Sequence, residues 1–341
     1  MKKILSLIIA LFMLTSLFSA CGGGDEEKVT PQNEQKKPAP EVPAKPTPEV
    51  PAEPDPETPA EPAPEEEVKI TPAALQHTLS ADSGIAVLLR DNGTAVATGD
   101  NRFGECGVEA WTGITAIACG RFHTVGLKSD GTVVATGETS DNRCDVAAWE
   151  GITAISAGSY HTVGLKNDGT VVACGWNEAG RCDVETWENT VAVSAGLYHT
   201  AGLRKDGTVL ATGDNSYDQC STAEWKNIVA ISAGAFHTVG LCDNGTVVTA
   251  GKLTEIEYNT DDWTDITAVA AGYNFTIGLK SDGTVVATGD NVVGQCNVSE
   301  WTDIAAIAAG YDFAIGLKRD GTTVTTEKAA ETMDFSAMKT R

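Results

Sequence analysis

The chain has 341 residues, with 24 Lys and Arg against 47 Asp and Glu, a formal charge of −23. An acidic surface without a large basic block repels phosphate backbones, which excludes nucleic acid as a partner and favours basic ones. All 13 prolines lie before residue 73, so a proline-rich first part precedes a long stretch that is free to form sheet, where strand interiors exclude proline.

Residues 1–20 read as a lipoprotein signal peptide. Lys2 and Lys3 form the positive start, and Ile4 to Phe18 is the apolar run. At 15 residues that run is shorter than the roughly 20 that cross a bilayer. Leu17-Phe18-Ser19-Ala20-Cys21 resembles the lipobox of bacterial lipoproteins, with Phe18 where that pattern usually has leucine. The resemblance implies cleavage after Ala20, lipid on Cys21, and an exported protein tied to a bacterial membrane, facing the cell exterior or periplasm. Multiple acyl chains would make that anchor stable.

Residues 21–69 read as a disordered Pro/Glu-rich tether. Twelve prolines fall between Pro31 and Pro64, and residues 22–69 hold 13 acidic and 5 basic side chains. Such a segment buries too little surface to offset its chain entropy. In the polyproline II form, at about 3.1 Å per residue, it would reach roughly 150 Å.

Residues 70–341 carry a repeat. Glycines at 93, 131, 169, 207, 245, 283 and 321 are spaced by 38, and tryptophans at 111, 149, 187, 225, 263 and 301 keep the same period. A fixed period in this range is the mark of a repeat architecture. Within one copy, Thr153–Ala157 reads as a first strand and Gly158–Tyr160 as a turn. His161–Lys166 reads as a second, alternating strand, Asn167-Asp168-Gly169 as a hairpin turn, and Thr170–Cys174 as a third strand. Gly175–Trp187 then crosses to the next copy. Thr78–Ala81 and Ile85–Leu89 form a degenerate first copy, and the seventh ends with Thr322–Thr326. A sheet of three strands cannot keep both faces dry alone, whereas a radial arrangement buries face on face. The expected fold is all-β, a seven-bladed β-propeller with three-stranded blades. Ala157-Gly158 and its equivalents at 195, 233, 271 and 309 should crowd the axis, and the tail Glu327–Arg341 is placed beside blade one to help close the ring.

The recurring run Gly-x-x-His-Thr-Val-Gly-Leu-Lys-x-Asp-Gly-Thr-Val-Val-Ala-Thr-Gly resembles the regulator of chromosome condensation repeat. His123, His161, His199 and His237 stand at that motif's histidine place, and Asn101, Asn177, Asn215 and Asn291 at its asparagine place. The short period and three-stranded blade are similar to those of the second β-lactamase inhibitory protein, a secreted propeller of this superfamily. The resemblance implies a propeller used as a protein-binding platform. The nucleotide-exchange activity of the eukaryotic namesake is not carried over, because only the scaffold motif matches and an exported chain would not meet a cytosolic GTPase.

The repeated histidines recur once per blade, and Ile85, Phe275 and Phe313 replace them elsewhere, so they read as packing residues. The periodic tryptophans read as core. Cysteines 106, 144, 182, 220 and 296 also follow the period and read as small buried residues too far apart for disulfides. No Cys-x-x-Cys pair, phosphate-binding glycine loop or nucleophile motif occurs, so neither metal, cofactor nor catalysis is expected. What differs between blades lies at the turn after the first strand and at the start of the crossing segment, which should share one face. The first set is Arg121, Phe122, Tyr160, Leu197, Tyr198, Phe236, Tyr273 and Tyr311. The second is Asp100, Glu138, Trp176, Asp214, Lys252 and Asp290, and blade five breaks pattern from Lys252 to Tyr258. Aromatic anchors among charges suit a protein interface. The candidate partner-binding residues are therefore Arg121, Phe122, Tyr160, Trp176, Leu197, Tyr198, Phe236, Tyr273 and Tyr311. The expected function is a monomeric, non-catalytic protein-binding propeller. The alternatives are a glycan or cell-wall binder stacking sugars on the same rings, and an inhibitor of a β-lactamase or penicillin-binding protein.

Overall fold

The computed structural model describes residues 78–251, 258–326, 333–336 and 338. Residues 1–77, on which the expected signal peptide, lipid-bearing Cys21 and tether fall, and residues 252–257 of the irregular crossing lie outside them. The strands fall into seven antiparallel sheets of three, each in chain order. These are blades 1 to 7, spanning 79–99, 114–137, 152–175, 190–213, 228–250, 266–289 and 304–325.

Blade 3 shows how the repeat folds. Its inner strand is Ile152–Ala157, its middle strand His161–Lys166 and its outer strand Val171–Gly175. The inner strand starts one residue earlier than the apolar pattern indicates, because Ile152 is buried and pairs with Lys166, with a bulge at Thr153 before Ala154 meets Leu165. The middle strand is not half-exposed as its sequence alternation suggests. All of His161–Leu165 is buried, since neighbouring blades cover both faces. The hairpin is built as expected: Gly169 has φ +83°, and Asp168 accepts the amide of Thr170 at 2.9 Å. All seven turn glycines share that left-handed conformation, at φ between 75° and 85°.

Each of the six periodic tryptophans lies over a glycine of its own blade's middle strand. A Cβ on Gly164 would stand 2.7 Å from the Trp149 ring, and one on Gly202 2.5 Å from Trp187. The indole takes the volume that a side chain would fill, so the glycine and tryptophan are a matched pair.

The ring closes. Leu79, Ala86 and Leu88 of blade 1 share one buried cluster with Phe313, Ile315 and Leu317 of blade 7. Met333 and Met338 of the tail complete that cluster, and the Asp334 amide donates to Thr98 Oγ1 at 3.1 Å. At other seams the outer-strand threonine binds a crossing segment instead: Thr136 and Thr212 donate to the carbonyls of Gly104 and Gly180. The tail thus stands in for the crossing segment that the seventh copy lacks. Replacing Met338 with Ala should lower stability in urea by about 2–5 kcal/mol, the usual cost of truncating a buried methionine. Ending the chain after Thr326 should cost at least as much, and an unchanged urea midpoint in both variants would show that the tail does not hold the seam.

Candidate functional site

The most obvious titratable candidates are structural. His123 Nε2 lies 2.7 Å from Thr162 Oγ1 in the next blade, and His161–Thr200, His199–Thr238 and His237–Thr276 repeat the contact at 2.7–2.8 Å. Thr162 and Thr200 each donate their one proton to a backbone carbonyl, of Arg143 and Arg181. The histidine must therefore donate through Nε2–H, leaving a bare Nδ1. That Nδ1 has no polar partner in any of the four. It packs on the axial glycine, as a Cβ on Gly158 would stand 2.9 Å from His161 Nδ1. Burial holds these imidazoles neutral, with pKa values pushed down to about 3 for His123 and His237 and about 4 for His199. Where phenylalanine replaces histidine, the next blade's threonine is replaced too: Phe275 faces the Ala314 position and Phe313 the Ala86 position.

The eight cysteines among the described residues are free thiols, and burial suppresses the reactivity of four of the periodic ones. Cys106 and Cys144 rise to about 11, Cys220 and Cys296 to about 12. Of the five periodic cysteines only Cys182 is fully buried. The other four are half-buried, with Sγ donating to the carbonyl that opens the crossing loop, as in Cys106 to Asp100 at 3.2 Å. Among the described residues no three His, Cys, Asp or Glu converge as metal ligands would.

The rim is where the aromatic side chains meet. Phe122 contacts Tyr160 with centroids 5.9 Å apart, and Tyr160 contacts Trp176 at 5.1 Å. Beyond them Tyr198, Phe236, Tyr273 and Tyr311 follow at 5.4, 5.5 and 4.0 Å. Guanidinium groups bridge the two runs. Arg181 lies over Tyr160, Trp176 and Tyr198, and Arg121 lies over both Phe122 and Tyr311, 5.1 and 5.4 Å from their centroids. Arg143 sits over Phe122 and Tyr160. The result is an unbroken circuit of rings and cations around the axis, in which each contact is worth about 0.5–1.5 kcal/mol beyond burial. Arg143 and Arg181 are buried beneath it and donate to the carbonyls of Ser159 and Leu197, while Arg143 also pairs with Asp141.

Eight of the nine candidate residues join this circuit. Leu197 does not. It is buried, with its side chain lining the axial channel beside Ala235. In blades 6 and 7 the aromatic shifts one place inward, to Tyr273 and Tyr311, and both line the same channel.

The acidic members of the second set are not free for a partner. Glu138 accepts the amides of Thr139 and Ser140, Asp214 that of Ser216 and Asp290 that of Val292, and Asp100 pairs with Arg102. They cap their own loops, and these contacts hold Asp100, Glu138 and Asp214 below the usual carboxylate range. Trp176 occupies the same place in blade 3 without capping, and it stays 39% exposed. The structure adds members that lie three places further along the crossing loops. Phe103 packs on Phe122 at 5.5 Å and Tyr217 on Phe236 at 5.1 Å, and both are exposed, as are Val292 and Val293. Their sequence signal is a large apolar residue two places after Asn101, Asn215 and Asn291, whereas Asn177 is followed there by Ala179.

A sequence profile of the regulator of chromosome condensation (RCC1) repeat matches residues 114–144, 152–181, 191–219, 228–252 and 266–295. These repeats belong to the RCC1 family. No curated protein matches the chain by sequence. Solved structures similar to the RCC1-repeat propeller include the CRINKLY WD40 ectodomain of the Arabidopsis thaliana receptor kinase ACR4, with 21% identity over 73% of this chain and 94% of that one, and a TM-score of 0.60. Saccharomyces cerevisiae Prp20p is similar at 15% identity over 74% and 83%, with a TM-score of 0.58. Human WBSCR16 gives 14% over 69% and 84%, with a TM-score of 0.56. These likenesses carry the fold.

The histidine reading has two measurable consequences. Thr200→Ala strands the His161 Nε2–H and should cost about 1–3 kcal/mol. Adding His161→Phe recreates the Phe275–Ala314 arrangement, so the pair should cost less than the two singles summed, by about 1 kcal/mol in a double-mutant cycle in urea. Strict additivity would mean that the two residues do not act together. The pH dependence runs in one direction. A histidine kept neutral by burial binds its proton in the unfolded chain near pH 6.5 but in the folded chain only far lower, so its stabilisation is intact above about 6.5 and is lost on acidification. The urea midpoint should drop between pH 7 and 5, and drop less in the double variant.

Proposed function

We propose that this chain is a membrane-anchored, non-catalytic platform whose propeller takes a protein partner on the aromatic and arginine rim, with the tether holding that rim away from the lipid. The rim circuit carries the reading. The residues that repeat from blade to blade are occupied with the scaffold, and the residues that differ gather on one face as rings and guanidiniums, the side chains that dominate protein hot spots. The anchor rests on Lys2 to Cys21 in the sequence. Relatives by fold support the class of partner. Yeast Prp20p has binding properties to Gsp1p and histones, and a crystal structure holds the same yeast protein bound to Kap60.

A protein is favoured over a glycan by how the rings are turned. Sugar stacking needs an open ring face. Here Phe122, Tyr160 and Tyr198 have guanidiniums over them, and Tyr160 and Trp176 meet edge to face at 85°. A jagged surface of ring edges and cations suits backbone carbonyls and apolar side chains.

The test is a pull-down with the anchored protein on its native cells, followed by affinity measurement on the recovered partner and a glycan array in parallel. Changing Tyr160, Trp176, Tyr198 and Phe236 together to Ala should weaken the partner at least 100-fold while the urea midpoint shows a folded propeller. Trp176→Ala alone should cost about 2 kcal/mol, the level of a hot spot. Unchanged binding by the fourfold variant would rule the face out.

A further inference from the structure

Six blades place a glycine at the axis, at 120, 158, 196, 234, 272 and 310, just after the inner strand. The scaffold demands it: a Cβ there would stand 2.1 Å from the Gly158 carbonyl oxygen at Gly120, and 2.3 Å from the Gly196 and Gly234 oxygens at Gly158 and Gly196. Blade 1 alone departs, and has Asp82 at this place. It can do so because its hairpin is tighter. Asp82 pairs with Ile85 across Ser83 and Gly84, extending the strand where the other blades break into a loop. Asp82 lines the axial channel, a cavity of about 90 Å³ that also touches Leu197, Ala235, Tyr273 and Tyr311.

The same blade lacks a rim aromatic. Ser83 and Gly84 stand where blade 2 has Arg121 and Phe122. The row of rings therefore has its gap over the channel's carboxylate, spanned only by the Arg121 guanidinium reaching from Phe122 to Tyr311. Asp82 Oδ1 accepts the Ser83 amide at 2.6 Å and the Ser83 hydroxyl at 2.9 Å. Among the described residues no cation stands within ion-pair distance of it, although the Arg121 guanidinium is near enough to favour its ionised form. Burial accordingly outweighs these contacts and pushes its pKa up to about 6. A partly buried carboxylate with no cation in ion-pair contact is a charge open to further compensation.

We propose that this gap is a socket for one lysine side chain of the protein partner, its stem passing Tyr273, Tyr311 and Leu197 and its ammonium pairing with Asp82. The inference rests on the rim being a protein-binding face. Charge complementarity selects a cation, since the one ionised group on the channel wall is acidic and the whole chain carries −23. Shape selects lysine over arginine. A water needs roughly 10–15 Å³ of such space, so a channel of about 90 Å³ admits the end of an unbranched stem more readily than a planar guanidinium.

The experiment selects a phage library of random peptides on the full chain, on Asp82→Asn, and on the fourfold rim variant. Wild type should enrich peptides with a single lysine among neutral and apolar residues, and Asp82→Asn should lose that enrichment while still selecting rim-dependent peptides. For a selected peptide, Asp82→Asn and replacement of its lysine by norleucine should each weaken binding at least 10-fold, and together no more than either alone. Asp82→Asn should fold at least as stably as wild type at pH 7, which separates lost recognition from lost structure. Rim-dependent peptides without a lysine preference, or with one that survives Asp82→Asn, would overturn the socket and leave the rim reading standing. Binding of spermidine without any lysine enrichment would make the channel a small-amine site and overturn it also. Absence of rim-dependent peptides altogether would bring down both readings.

Discussion

The structure depends on how closely the blades approach at the axis. The carbonyl of one axial glycine enters the space where its predecessor's Cβ would be, at 2.1 to 2.7 Å over five successive seams. That contact leaves no room for any side chain, and it sets the radius of the ring. The histidine of the same blade fits beneath it and reaches the next blade's threonine. Serines of the inner strands add a second tie, as Ser156, Ser194 and Ser232 accept amides one blade further on. Polar groups that would be costly if left alone in the core thereby become links between copies.

The last two seams are made differently. Between blades 6 and 7 and between blades 7 and 1 neither the histidine–threonine nor the serine tie exists: Phe275 packs with Ala314 at the first, and Phe313, Ala86 and two tail methionines fill the second. An apolar seam does not need a fixed hydrogen-bond register.

The same constraint sorts scaffold from site. A residue needed by every blade is spent on packing, which is why the histidines, tryptophans, periodic cysteines and loop-capping carboxylates carry little chemistry for a partner. Freedom begins one residue beyond the axial glycine, at the rim. There the copies diverge into Arg121-Phe122, Leu197-Tyr198 and Tyr273-Asn274. Trp176 and Asp82 are informative because each stands where the scaffold ordinarily has another residue, a capping carboxylate in one case and a glycine in the other. Their chemistry is therefore not explained by the repeat.

Sequence alone determined the period, the number of blades, the three strands of each and the turn geometry, because these are local and copied. A Gly169 needing positive φ announces itself wherever it occurs, and seven copies leave no ambiguity about register. It also put all nine candidate residues on one face, since strand direction alternates, and eight of them meet in the circuit of rings and cations. Tertiary structure alone decided what they touch. That Trp149 lies on Gly164, that Arg181 reaches three rings, that Glu138 caps its own loop and that Leu197 turns into the channel are matters of contact between segments. Pairings across seams, such as His161 with Thr200, join residues 39 apart. A 38-residue period shows that both recur, but only the curvature of the closed ring brings one against the other.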